Sequence, residues 1–105
     1  MQNIKNQSEF DQLVNQSNPI LLDFYADWCG PCQTLLPTVE KLSKEYKETV
    51  EIRKVNVDEN QALAAQFQVR SIPALFFIKD GVIVDKVNGL APEGTLRTKL
   101  NALVD

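Results

Sequence analysis

The residues of this chain best suited to chemistry are its two cysteines, which stand three positions apart in Cys29-Gly30-Pro31-Cys32. An almost continuously apolar segment precedes them and apolar residues at helical spacing follow, so the pair lies where a strand leads into a helix. One helical turn separates the two side chains, which lets the sulfurs meet. The arrangement favours thiol–disulfide exchange over two alternatives, a purely structural disulfide and half of a zinc site.

The two thiols are expected to play different parts in that exchange. Only a thiolate attacks a disulfide, and the unpaired N–H groups at a helix start favour the anion, so Cys29 is the predicted nucleophile. Cys32 continues the apolar stripe of the helix and is the predicted resolving thiol, shielded until a mixed disulfide forms. Pro31 suits a first helical turn, and Gly30 keeps side-chain bulk away from an approaching substrate.

The sequence contains no histidine. This removes the base of a Ser–His or Cys–His pair and the commonest nitrogen ligand of metals. Without a second cysteine pair, a four-ligand zinc site would need carboxylates or a second chain. We therefore predict no metal site.

One carboxylate interrupts the apolar strand that precedes the cysteines. Asp23 lies within Ile20-Leu21-Leu22-Asp23-Phe24-Tyr25-Ala26, the pattern of a strand covered on both faces. Ionising a buried carboxyl is costly, so we expect a raised pKa and a role as a general base that takes the proton of Cys32 through water. The alternative is an aspartate at a strand edge in water.

Three further positions are candidates when judged from the residues alone. Lys54 shares strand parity with Ile52, which predicts either a partly buried ammonium near Asp23 or a lysine that reaches water. Trp28 either contacts substrate beside the sulfurs or packs in the core. The Ile72-Pro73 bond is expected to be trans, because only about 5–6% of such bonds in folded proteins are cis.

The remaining pattern describes the elements that must hold these residues. Strands alternate with helices before a hairpin and a last helix, which predicts an α/β fold with a mixed sheet between helices and one domain over residues 1–105. The predicted elements are a helix from Ser8 with a capping box, strands at 20–26 and 50–57, a helix that starts at Cys29 and includes Cys32, a helix carrying Leu63 and Phe67, hairpin strands at 74–78 and 82–84 around Asp80-Gly81, and a helix after Pro92.

Composition limits the class of partner. The net charge of −3 lacks the basic excess that phosphate-backbone binding needs, so no nucleic acid is expected. No apolar run approaches a bilayer-spanning length, and the first residues do not resemble a signal peptide. We expect a cytoplasmic protein with no membrane partner.

The segment Asp23-Phe24-Tyr25-Ala26-Asp27-Trp28-Cys29-Gly30-Pro31-Cys32 closely resembles the active site of the thioredoxin family. The resemblance continues through Pro37, Lys54, Ile72-Pro73 and Gly81 to Gly89. It implies the thioredoxin fold, a central mixed five-stranded sheet flanked by four helices, and a cis Pro73 facing the cysteines. The sequence differs from the family pattern at Tyr25, where many members have a second tryptophan, and at Leu90, where a smaller residue is usual.

The same resemblance implies a function. A monomeric protein-disulfide reductase is expected, with no bound cofactor and with electrons from NADPH supplied through thioredoxin reductase. It supports catalytic roles for Asp23, Lys54 and Pro73 beside the two cysteines. It also implies a shallow surface for disulfide-containing protein substrates, formed by Trp28, Gly30, Pro31, Ile72, Pro73 and Gly89.

Two other functions remain open at the level of sequence. A disulfide oxidase or isomerase would use the same fold, although the pair Gly30-Pro31 resembles the reducing members. A binding subunit that uses the surface around Trp28 without redox chemistry is the other alternative.

Overall fold

The computed structural model describes all 105 residues of the chain. It contains five strands and four helices, and all of them except the first strand correspond to elements predicted from the periodicity. They are β1 (Gln2–Asn3), α1 (Gln7–Val14), β2 (Ile20–Tyr25), α2 (Gly30–Glu45), β3 (Glu51–Asn56), α3 (Gln61–Gln66), β4 (Ala74–Lys79), β5 (Val82–Asn88) and α4 (Glu93–Val104).

The strands form one mixed sheet in the order β1-β3-β2-β4-β5. The pairs β1–β3 and β2–β3 are parallel, whereas β2–β4 and β4–β5 are antiparallel. The central strand, β2, has neighbours on both sides and helices over both faces, which explains why its sequence is apolar nearly throughout. Its one charged residue, Asp23, is in register with Lys54 of β3 and Leu75 of β4.

Alternate residues of the sheet point into two separate cores. On one face Leu22 and Phe24 pack with residues of α1 and α3, and on the other Leu21 packs against α2 and α4. Burying each such side chain contributes about 1.5–3 kcal/mol. The first core is rich in aromatic rings, because Phe67 lies with its ring centroid 5.4, 5.2 and 5.1 Å from those of Phe10, Phe24 and Phe76.

The predicted hairpin is confirmed. Asp80 and Gly81 have φ angles of 53° and 78°, the left-handed conformations that a two-residue turn between antiparallel strands requires. The strand that follows is longer than predicted and continues to Asn88.

Two details at the start of the chain differ from the predictions. The first helix is capped by Asn6 and not by Ser8, because the Asn6 side chain accepts a hydrogen bond from the backbone N–H of Glu9 at 2.9 Å. The short strand β1 has no counterpart among the elements predicted from periodicity, since both of its residues are polar and exposed. None of the four helices combines the length and the apolar character needed to cross a lipid bilayer.

Candidate active site

The cysteine pair lies at the junction of β2 and α2, as its sequence context predicts. Cys29 is the N-cap of α2 and is joined to Cys32 by a disulfide, with a Cα–Cα distance of 5.2 Å. The backbone N–H of Cys32 donates to Sγ of Cys29 at 3.2 Å. This N–H belongs to the unpaired donors of the first helical turn, so the helix start directs a positive pole at this sulfur.

Burial does not distinguish the two cysteines. The exposed fraction is 5% for Cys29 and 4% for Cys32, so the predicted shielding of Cys32 extends to both residues. They differ in position, because Cys29 caps the helix and Cys32 lies within its first turn. Pro31 occupies the first turn as predicted, and both Gly30 and Pro31 are exposed.

The loop before β4 approaches the disulfide from the other side. The Ile72–Pro73 peptide bond is cis, so the trans bond expected from the residues alone is wrong and the cis bond implied by the family resemblance is confirmed. A frequency for single dipeptides does not include tertiary packing, and Pro73 here is fully buried. The carbonyl oxygen of Ile72 lies 3.8 Å from Sγ of Cys29.

The main chain around Pro73 is only partly paired. The carbonyl of Pro73 accepts the N–H of Gly89 at 2.8 Å, which ties the β5–α4 connection to this loop. Gly89 has a φ of 81°, a conformation that suits glycine. The N–H of Ile72 donates to no group of the protein, so a donor and an acceptor of this residue remain free beside Cys29.

The expected burial of Asp23 is confirmed. Its exposed fraction is 2%, and its Oδ1 atom has no hydrogen-bond partner in the protein. Burial raises its pKa to about 7, while the positive charge of Lys54 acts in the opposite direction. Asp23 shares strand parity with Leu21, so it faces the α2 side of the sheet, beneath the helix that carries the cysteines.

Lys54 is the register neighbour of Asp23, but the two side chains form no ion pair. Its ammonium lies 5.4 Å from the centroid of the Tyr25 ring and is partly buried. The expected pairing of this ammonium with Asp23 is therefore wrong, since a cation–π contact with Tyr25, two residues further along β2, holds the ammonium instead. Lys54 is partly exposed, which does not contradict the alternative of a lysine that reaches water from a buried stem. Lys54 acts on Asp23 through its charge.

Trp28 is the most exposed large apolar side chain of the molecule, with 72% of its surface accessible, so it does not pack in the core. Its indole Nε1 donates to Oδ2 of Asp58 at 2.8 Å. Asp58, which is 30 residues away on the connection between β3 and α3, was not among the residues predicted from the sequence. Its position directly after the strand predicted at 50–57 was the one available signal, because loops at strand ends carry functional residues.

The structure thus brings Cys29, Cys32, Ile72, Pro73 and Gly89 together at one end of the sheet. Trp28 flanks them next to Cys29, and Asp23 lies below. Nowhere in the chain do three or more His, Cys, Asp or Glu side chains converge as a metal site.

Comparison with known proteins agrees with this geometry. The family model named Thioredoxin matches residues 2–102. The chain belongs to the thioredoxin family. Thioredoxin from Haemophilus influenzae is 46% identical over 97 residues, which cover 91% of this chain and 91% of that protein. Thioredoxin 1 from Synechococcus elongatus is 43% identical over 90 residues, which cover 86% of this chain and 84% of that protein.

Solved structures give the same family. The X-ray structure of Fasciola hepatica thioredoxin superposes with a TM-score of 0.89 at 40% identity and covers 97% of this chain and 98% of that one. The predicted thioredoxin fold is therefore confirmed. As a family member with a redox-active disulfide at the start of α2, the chain is a dithiol–disulfide oxidoreductase that reduces protein disulfides.

Proposed function

We propose that this thioredoxin-family chain is a monomeric electron carrier, with residues 1–105 acting as a single domain, that passes electrons from NADPH through thioredoxin reductase to cytoplasmic proteins. The observation that carries the proposal is the disulfide formed by the N-cap of α2 and the residue one turn later, beside the free peptide groups of Ile72. A dithiol that must be reduced again after each turnover requires a reducing compartment, which supports the cytoplasmic location.

In the first step the reduced protein attacks its substrate with Cys29. The Cys29 thiolate forms a bond to one sulfur of the substrate disulfide, the substrate S–S bond breaks, and the leaving sulfur takes up a proton. The N–H of Cys32, 3.2 Å from Sγ of Cys29, supports the choice of Cys29, because it stabilises a negative charge on that sulfur.

In the second step Cys32 releases the product. Its thiol loses a proton to the carboxylate of Asp23 through a water molecule, and the resulting thiolate attacks Sγ of Cys29. The mixed disulfide breaks, the Cys29–Cys32 disulfide forms, and the substrate has gained two electrons and two protons. A pKa of about 7 suits Asp23 to this transfer near neutral pH. Lys54 assists by stabilising the ionised form.

Substrate is held as an extended chain on the surface of Trp28, Gly30, Pro31, Ile72, Pro73 and Gly89. The free N–H and C=O of Ile72 are a donor and an acceptor for a substrate main chain, as in strand addition. The exposed Trp28, Gly30 and Pro31 leave room for side chains of varied size. Pro73 positions this peptide group beside Cys29.

The test is insulin reduction, driven once by NADPH with thioredoxin reductase and once by dithiothreitol. Wild-type protein should turn over with both donors. Turnover with dithiothreitol alone would reject the reductase as partner but keep the chemistry. A folded wild-type protein that reduces insulin with neither donor would reject the proposed function.

Single cysteine variants test the assigned order of attack. Cys32→Ser should trap a mixed disulfide with insulin that dithiothreitol releases, whereas Cys29→Ser should trap none. The reverse pattern would exchange the two roles. Sedimentation equilibrium tests the monomer, and alkylation of thiols in fractionated cells tests whether the reduced protein is cytoplasmic.

A further inference from the structure

Trp28 is held in place although it has little surface to pack against. An indole that is 72% exposed is free to change rotamer unless something restrains it. The restraint is the hydrogen bond from Nε1 to Oδ2 of Asp58. Asp58 itself is exposed and lies in a connection between two elements, so its carboxylate orients the indole only if the loop is fixed.

Asn56, the last residue of β3, fixes that loop from below. It is 5% exposed, and its Oδ1 accepts the backbone N–H of Asp58 at 2.9 Å and that of Glu59 at 3.4 Å. Its backbone carbonyl accepts the N–H of Asn60 at 3.0 Å and the side-chain amide of Asn60 at 3.4 Å. The same amide also donates to the carbonyl of Ile4 at 3.2 Å. These bonds anchor the turn to the sheet.

We propose that Asn56 is a positioning residue for substrate capture, which orients Trp28 beside Cys29 by fixing the backbone of Asp58. The proposal rests on the proposed function, in which Trp28 contacts the substrate. A side chain that is already ordered before binding loses less conformational entropy when a polypeptide docks against it. No hydrogen bond of the Asn56 side chain reaches the disulfide or the substrate surface, so its proposed influence passes through Asp58 and the indole.

The effect of Asn56 on Trp28 should influence the binding of large substrates and should not change the rate of thiol–disulfide exchange. Loss of the restraint should raise KM for a protein disulfide and leave kcat unchanged. A small disulfide, which is too short to reach the indole, should be reduced at the wild-type rate. A general loosening of the fold would change both substrates together.

The experiment compares four variants in the full chain. Asn56→Ala removes the accepting oxygen and Asn56→Asp keeps it. Asp58→Ala removes the acceptor of the indole, and Glu59→Gln is the matched control, because it removes a neighbouring charge that does not contact Trp28. Since Trp28 is the only tryptophan, its fluorescence and acrylamide quenching report the indole directly. Kinetics with insulin and with hydroxyethyl disulfide complete the comparison.

Asn56→Ala and Asp58→Ala should alter the emission and quenching of Trp28 and raise KM for insulin about threefold to tenfold, the effect of losing one hydrogen bond. Asn56→Asp and Glu59→Gln should stay within about twofold of wild type by the same measure. Unchanged quenching in both alanine variants would overturn the inference, even if insulin reduction by the wild type is normal. Equal impairment of Asn56→Asp and Asn56→Ala would also overturn it. If Asn56→Ala does not fold, Asn56→Leu, which keeps the side-chain volume but lacks the accepting oxygen, is measured in its place with the same expected results.

Discussion

Replacing Asp23 by asparagine should change how the stability of the oxidised protein depends on pH. The oxidised form is the right one to measure, because its cysteines form a disulfide and do not titrate. Asparagine has nearly the shape of the carboxyl but no charge. Any cost of burying the amide is the same at every pH. It therefore shifts the plot of unfolding free energy against pH up or down without changing its slope.

The magnitude follows from the pKa of Asp23 in the folded and unfolded states. Folding raises that pKa from 3.8 to about 7 through burial. At about 1.4 kcal/mol for each pKa unit, ionised Asp23 lowers the free energy of unfolding by about 4 kcal/mol. Below pH 3.8 the carboxyl is protonated in both states and the protein keeps this stability in full. The stability falls as the pH rises from 3.8 toward 7, and above pH 7 this contribution has been lost.

The assay is urea unfolding of the oxidised wild type and Asp23→Asn at a series of pH values from about 4 to about 8.5, which spans the window set by the two pKa values. Relative to wild type, the free energy of unfolding of the variant should increase by about 4 kcal/mol from the acidic to the basic end of this range. Most of that increase should be complete near neutral pH. Asp27→Asn controls for the loss of one exposed carboxylate from the same segment. A constant difference between Asp23→Asn and wild type would refute the reasoning.

Three other substitutions probe neighbouring features. Lys54→Met removes the charge that lowers the pKa of Asp23, so the loss of stability with pH should extend to higher pH in the same urea titration; a shift to lower pH would contradict this. Gly89→Ala forces a side chain into φ 81° with nothing within 4 Å of the new Cβ and should cost about 1–2 kcal/mol in urea unfolding, whereas no loss would show that the turn adapts. Phe67→Ala opens the aromatic core and should cost about 3–5 kcal/mol by the same method, and a loss below about 1 kcal/mol would mean that the core closes over the gap.

The sequence predicts best those features that repeat over several residues or rest on one local rule. The apolar strand around Asp23 and the helix that includes Cys32 have long periodic patterns, and the Asp80-Gly81 turn needs positive φ at both positions. The burial and raised pKa of Asp23 follow from a charge placed in a doubly covered strand. Each of these depends on neighbours in sequence.

The features that could not be predicted depend on partners far along the chain. The strand β1 exists only because β3 offers it hydrogen bonds, and its polar residues carry no pattern. The position of the Lys54 ammonium is decided by the ring of Tyr25 across the sheet, and that of the Trp28 indole by Asp58. A choice between two attractive partners requires distances, which a linear sequence does not contain.

The unpaired peptide groups of Ile72 have a consequence for mutagenesis of this surface. Every residue except proline has the same N–H and C=O, so replacing the Ile72 side chain leaves both groups in place. An alanine scan would therefore register little at this position even if every substrate bound there. Exchanging the amide for an ester, through an α-hydroxy acid at residue 72, deletes the N–H, keeps the carbonyl of residue 72 and exposes what side-chain substitutions conceal.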